Sequence, residues 1–247
     1  MPKWCDATVV GKQIWTDGLF TLEVESPDVA EFEPGQFLHL ALGGEENRIN
    51  RPYSVASPHG KTLDFFIVRV DDGALTPKLW ALDVGDKLEV SQKGAGRFTL
   101  KHTPVAKNLW LVSTGTGLAP YIAILRAGHV WESFEKVVVV HGVRYAADLA
   151  YTDELNQLAE SKAGNFTLIQ ALTREETEGT LNGRIPNLLE NGSLENAAGC
   201  TMRAEDSSVL LCGNPAMLDD MEAKLGERDM KRHRSKSPGQ IVLERYW

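Results

Sequence analysis

The chain has 247 residues, 43% of them hydrophobic and 24% charged, with a formal net charge of −8 at pH 7. That length is enough for two domains with separate cores, and the acidic balance argues against a general nucleic-acid binder. No apolar run approaches the ~20 residues that span a bilayer. The start, Met1 to Asp6, lacks the apolar core of a signal peptide, so a cytoplasmic protein is expected. Cys5, Cys200 and Cys212 are odd in number and widely spaced, so neither a disulfide framework nor a metal or iron–sulfur centre is expected.

Short alternating segments dominate the first hundred residues: Ala7–Val10, Leu19–Glu25, Phe37–Leu42, Pro52–Ser57, Leu63–Val70 and Lys87–Ser91. Turn signals such as Ser26-Pro27, Gly43-Gly44 and Val84-Gly85-Asp86 separate them at the spacing of a small antiparallel barrel. Within it, Arg51-Pro52-Tyr53-Ser54 places a guanidinium, an aromatic ring and a hydroxyl on one extended segment. Arg51 and Tyr53 share a face there and Ser54 takes the other. A phosphate clamp, a stacking face and a hydrogen-bond donor are the needs of a flavin. Further on, Asp72 to Leu79 reads as a helix start with Thr76 as N-cap and Pro77 in the first turn, suited to a pyrophosphate. Phe66, on the strand before it, suits barrel core and ligand lining equally.

After the polar connector Lys101–Lys107 the pattern changes to continuous apolar strands: Leu109–Val112, Val137–Val140, Phe166–Ala171, Val209–Cys212 and a last one, Gln240–Arg245. These read as buried parallel strands of a doubly wound sheet, whose carboxyl ends share one ligand-binding edge. Four polar or glycine-rich segments converge there: Ser113–Pro120, Gly142–Tyr145, Thr173-Arg174 and Gly213–Met217. Arg144, Arg174 and Arg184 suit a doubly charged phosphate; surface ion pairs are the alternative. A basic run, Lys231-Arg232-His233-Arg234-Ser235-Lys236, stands out in the acidic chain, either as a positive docking face within reach of the flavin edge or as a solvated loop.

Taken together, Arg51-x-Tyr53-Ser54, Gly94-Ala95-Gly96-Arg97-Phe98, Gly115-Thr116-Gly117-x-Ala119-Pro120, Thr173-Arg174 with Gly183-Arg184, and Cys212-Gly213-x-Pro215-x-Met217 resemble the ferredoxin-NADP reductase superfamily. The similarity is to the short bacterial ferredoxin/flavodoxin-NADP reductases and extends over essentially the whole chain. It implies a Greek-key β-barrel FAD domain over 1–100 and an NADP domain with a doubly wound parallel sheet over 101–247. The resemblance places FAD against Arg51, Pro52, Tyr53 and Ser54, the backbone of Phe66, Ile67, Val68 and Arg69, and Ala74, Leu75 and Thr76. It adds Thr116 and the final pair Tyr246 and Trp247, with Trp247 on the adenine and Tyr246 nearer the isoalloxazine. NADP falls to Gly115, Val143, Arg144, Thr173, Arg174, Arg184, Gly213, Asn214 and Met217. Ser54 is then the flavin N5 partner, with Cys212 and Glu244 bordering the nicotinamide.

The implied activity passes electrons between NADPH, a hydride donor, and flavodoxin or ferredoxin, which take them singly. A NAD(P)H flavin reductase or an oxygenase reductase component shares most of these motifs. A nucleotide-binding flavoprotein module without catalysis is the non-enzymatic alternative. The resemblance implies a monomer with no nucleic-acid or membrane partner.

Overall fold

The alternating segments of the first hundred residues build one antiparallel sheet in the computed structural model, which describes residues 3–246. Its strands are β1 (Trp4–Thr16), β2 (Leu19–Glu25), β3 (Phe37–Leu42), β4 (Ile49–Ser54), β5 (Thr62–Val68) and β6 (Lys87–Ser91), with a five-residue helix α1 (Thr76–Trp80) before β6. They are ordered β4-β3-β6-β1-β2-β5. An isolated bridge from Val55 to Phe65 joins the two edges and closes the barrel. Read around that seam the order is β1-β2-β5-β4-β3-β6, the Greek-key arrangement expected from the resemblance.

The barrel interior is filled by Phe20, Leu22, Leu38, Leu40, Leu63, Phe65 and Ile67, with Leu75 and Leu79 of the α1 segment packed in. Each buried aliphatic or aromatic side chain contributes ~1.5–3 kcal/mol of transfer free energy, so this interior is what fixes the register. β1 is far longer than the expected Ala7–Val10 because register shifts between Val9 and Gly11 and between Ile14 and Thr16 break its alternation. A bulge moves later side chains to the opposite phase, which hides one strand as two patterns.

From β7 onward every strand pair is parallel. The strands are β7 (Asn108–Thr114), β8 (Lys136–Val143), β9 (Phe166–Leu172), β10 (Leu181–Asn182), β11 (Ser207–Gly213) and β12 (Ile241–Arg245), in the order β10-β9-β8-β7-β11-β12. The helices between them are α2 (Ala119–Ala127), α3 (Val130–Ser133), α4 (Thr152–Ser161), α5 (Ile185–Glu190), α6 (Ser193–Ala198) and α7 (Pro215–Gly226). β10 has two residues, too short for any periodicity to reveal. One face of the sheet packs Trp110, Val112, Val138, Val140, Val209 and Leu211 against Leu188, Leu194, Leu218 and Met221 of the helices.

The chain divides into two compact units. The first runs to Leu100 and includes α2; the second comprises Lys101–Leu118 and everything from Gly128 onward. In the first, Arg126 of α2 donates to Asp64 (2.6 Å) and to the Ala56 carbonyl (3.1 Å), which pins that helix beside the barrel seam.

Candidate functional site

In the first unit, β4 lies beside the barrel seam, and its register with β3 sets what each side chain can do. Tyr53 lies opposite Leu38 and Arg51 opposite Leu40, so the two share one face of the strand, while Ser54 lies opposite Phe37 on the other. Tyr53 is half-buried against the barrel core. Burial pushes its phenol up to about 12, opposed only by the nearby Arg51 charge, so it is a neutral ring and donor. Arg51 is exposed, and its described hydrogen bond goes to the carbonyl of its neighbour Asn50 (2.7 Å). Ser54 is buried. A guanidinium without an acidic partner among the described residues, beside a neutral phenol, fits a ligand that carries both a phosphate and a flat ring.

Thr76 does not cap α1. The N-cap is Leu75, with no side-chain cap bond, and the Thr76 hydroxyl turns back to accept from Val70 N (2.9 Å) and donate to Val70 O (3.2 Å). The physical reason is the tight return of the chain from β5: the hydroxyl satisfies both backbone groups of Val70 and so closes the Val70–Leu75 turn. Ile67 and Leu75 bury their side chains in the barrel core, leaving only their backbone for a ligand. Phe66 is also buried, but lies on the opposite face from Phe65 and Ile67, edge-on to Trp15 (6.5 Å). Arg69 is engaged by Asp17 (3.3 Å) and Asp71 (3.0 Å) and lies 5.1 Å over Trp80. Val68 and Ala74 are exposed.

In the second unit, the order of strands reverses between β7 and β11, and ligands of open parallel sheets bind at such a reversal. The two loops that leave these strands interlock. A Cβ on Gly117 would stand 2.6 Å from the Cys212 carbonyl oxygen, and one on Gly213, which has φ +128°, would strike Thr114. Only glycine permits that approach. Thr114 Oγ1 also accepts from Asn214 N (2.9 Å), locking the β11 loop to the β7 loop. Gly115–Leu118 forms a single 3₁₀ turn in which Thr116 is buried, and Pro120 lies in the first turn of α2, which follows it in the chain.

The three arginines are brought together by backbone continuity beyond the strands. Val143 and Leu172 are partners at the ends of β8 and β9, and the ladder continues: Thr173 N donates to Val143 O (3.2 Å) and Arg174 N to Arg144 O (3.0 Å). Gly183 N donates to Leu172 O (2.8 Å), which sets Arg184 beside them at the start of α5. All three side chains are exposed, and none forms an ion pair among the described residues. Such a cluster fits a ligand with a dianionic phosphate. Sequence reasoning overlooked Glu175, whose carboxylate accepts from Ala146 N while its carbonyl accepts from Asn182 Nδ2 (2.9 Å), clasping the arginine loops together. Its signal was only its place directly after Arg174.

Cys212 pairs with Glu244 across β11 and β12, and Tyr246 N donates to Gly213 O (3.3 Å). Burial pushes the Cys212 thiol well above its ordinary value, Glu244 adds to this, and a hydrogen bond from Tyr246 opposes it. The thiol is therefore protonated and is no nucleophile. The Asn214 side chain is committed to the helix that follows, accepting from Ala216 N (2.9 Å) and Met217 N (3.4 Å) as the N-cap of α7, and Met217 is packed in the core. Trp247 lies outside the described residues. In the basic run, His233 N donates to Ile241 O (2.7 Å) and Ile241 N to Lys231 O (3.0 Å), which ties the run to the amino end of β12, the opposite end from Tyr246.

Also overlooked was His141, the one polar side chain in the apolar run Val137–Val143 of β8. It is fully buried and its Nε2 meets the Gly115 carbonyl at 3.1 Å.

Comparison with known proteins finds two family models along the chain: "Oxidoreductase FAD-binding domain" matches residues 10–99 and "Oxidoreductase NAD-binding domain" matches residues 111–223. The flavodoxin/ferredoxin–NADP reductase of Shigella flexneri is 42% identical over the full length of both chains. The ferredoxin–NADP reductase of Pseudomonas aeruginosa is 34% identical, covering 94% of this chain and 93% of its own. Among solved structures, a ferredoxin NADP+ reductase from Neisseria gonorrhoeae with bound FAD and NADP superposes with a TM-score of 0.93 at 29% identity, covering 99% of each chain.

Proposed function

The chain belongs to the flavodoxin/ferredoxin–NADP reductase family, and from that premise we propose how its residues divide the work of moving electrons between NADPH and flavodoxin or ferredoxin through FAD. Supplied with FAD, the enzyme has a group that takes two electrons from NADPH and releases them one at a time. Arg51 holds an FAD phosphate, Tyr53 packs a ring face as a neutral phenol, and Ser54 is the hydrogen-bond partner of flavin N5. The backbone from Phe66 to Arg69 and from Ala74 to Thr76 borders the rest of the FAD.

NADP lies on the loops at the carboxyl ends of the parallel strands: its pyrophosphate on Gly115 and its neighbours, its 2′-phosphate on Arg144, Thr173, Arg174 and Arg184. Gly213, Asn214 and Met217 border the nicotinamide through backbone, and Val143 lines the adenosine side. Cys212 and Glu244 shape that pocket without covalent chemistry, because the thiol stays protonated. The observation that carries this reading is the arginine trio set just beyond adjoining strand ends with no ion pair among the described residues. NADPH is accordingly the preferred donor. We place the enzyme in the cytoplasm as a monomer, since its three cysteines are free thiols and one chain supplies both sets of cofactor residues.

Steady-state turnover of the FAD-loaded protein with flavodoxin, ferredoxin and free flavin as alternative acceptors tests the reading. Turnover with the protein acceptors, and a higher kcat/KM for NADPH than for NADH, is the expected result. Turnover with free flavin alone would instead make the enzyme a flavin reductase.

A further inference from the structure

We propose that His141 is a positioning residue for the dinucleotide: its Nε2–H holds the Gly115 carbonyl against the sheet, which turns the Thr116 N–H outward to where the pyrophosphate is bound. The inference deepens the assignment of Gly115–Pro120 as the pyrophosphate loop and rests on it.

The geometry is simple. His141 lies on β8, in register with Ser113 of β7 and Gln170 of β9, with no exposed surface. Its Nε2 is 3.1 Å from Gly115 O. A trans peptide is planar with its C=O and N–H opposed, and the described chain has no cis bonds. Fixing the Gly115 carbonyl inward therefore fixes the direction of the Thr116 N–H outward. Without that anchor, Gly115, at φ +54° and with open space about it, is free to rotate the peptide.

The residue type is itself informative. Nδ1 is buried and has no hydrogen-bond partner among the described residues. A buried nitrogen left unpaired is costly, and a valine or leucine, like the valines before it, would fill the layer without that penalty. What histidine adds at this position is the one bond to Gly115. Burial holds the ring neutral, down at about 4, opposed by the Gly115 bond, and because a carbonyl oxygen only accepts, the single ring proton sits on Nε2 facing it.

The test compares three variants of the FAD-loaded protein. His141→Gln places an amide N–H near the Nε2 position, His141→Asn falls short of it, and His141→Leu has no donor. The dissociation constant for NADP+ is measured by calorimetric titration, with kcat and KM for NADPH measured against ferricyanide. We expect His141→Leu and His141→Asn to weaken NADP+ binding about tenfold and His141→Gln by less than about threefold, with KM following and kcat almost unchanged. Wild-type affinity in His141→Leu, or His141→Gln as weak as His141→Leu, overturns the proposal. A His141→Leu chain that does not fold leaves the Gln–Asn contrast to decide in the same way. Wild-type protein that fails to bind NADP+ would overturn the loop assignment beneath it, a different result from equal binding by wild type and variants.

Discussion

At the scale of single residues, environment decides which groups do chemistry. Arg174 and Arg184 form no ion pair among the described residues, so replacing both with alanine should raise KM for NADPH by about tenfold or more, the cost of ~1.5–3 kcal/mol for a lost bond to a charged group. KM for NADH should barely change; equal losses with both donors would make the pair structural. Cys212 behaves oppositely, because burial and Glu244 keep its thiol protonated. Native protein treated with iodoacetamide should label Cys200 before Cys212, read by peptide mass spectrometry, and rapid labelling of Cys212 would mean that the β11 loop opens.

His141 makes a third prediction through its lowered folded value. Because that value, about 4, lies below the ordinary one of 6.5, the unfolded chain takes up a proton first as pH falls. Stability is complete above the unfolded value and is lost progressively down to the folded one. Between about pH 7 and about pH 5 the wild type should lose roughly 2 kcal/mol more than His141→Gln, seen as a steeper fall in urea midpoint. The exposed positions of Arg51 and the arginine trio were legible in the sequence because charges on or just beyond strands are conspicuous. His141 was not, because its role depends on a carbonyl 26 residues away.

Secondary-structure elements were most legible where turn residues bracket them. Leu19–Glu25, Phe37–Leu42 and Lys87–Ser91 fall where glycine, proline and aspartate predict. Helix starts were harder, because Thr76 satisfies Val70 across a turn while Asn214, expected to serve NADP, caps α7. A side-chain oxygen is drawn to whichever backbone N–H the chain's path leaves unmet, and that path is tertiary. Asn214→Ala should therefore lower stability by ~1 kcal/mol, measured by denaturant midpoint in the absence of nucleotide. An unchanged midpoint with a weaker NADP+ affinity would mean that the side chain, and not only the backbone, contacts the ligand.

For the whole molecule, charge sets the terms on which a partner approaches. With a net charge of −8, the enzyme repels acidic proteins except through local positive faces. The run Lys231–Lys236 is one such face, yet it is anchored at Ile241, and β12 extends ~13 Å from there to Arg245 at ~3.3 Å per residue. That exceeds the ~8 Å Debye length at physiological salt. Reversing Arg232 and Arg234 to glutamate should change flavodoxin turnover by less than about twofold. A selective, salt-sensitive collapse would place the docking face there.

The interlocked loops at the strand-order reversal also set a timetable. Thr114 and Asn214 are 100 residues apart in the chain, as Pro104 and Ser208 are 104 apart. At ~5–20 residues per second of synthesis, β7 waits on the order of 5–20 s after leaving the ribosome before β11 exists to pair with it. Through that interval the nascent chain holds β7, β8 and β9 with one long edge open, the kind of surface that recruits holding chaperones. The nucleotide crevice is therefore among the last features of the protein to come into being.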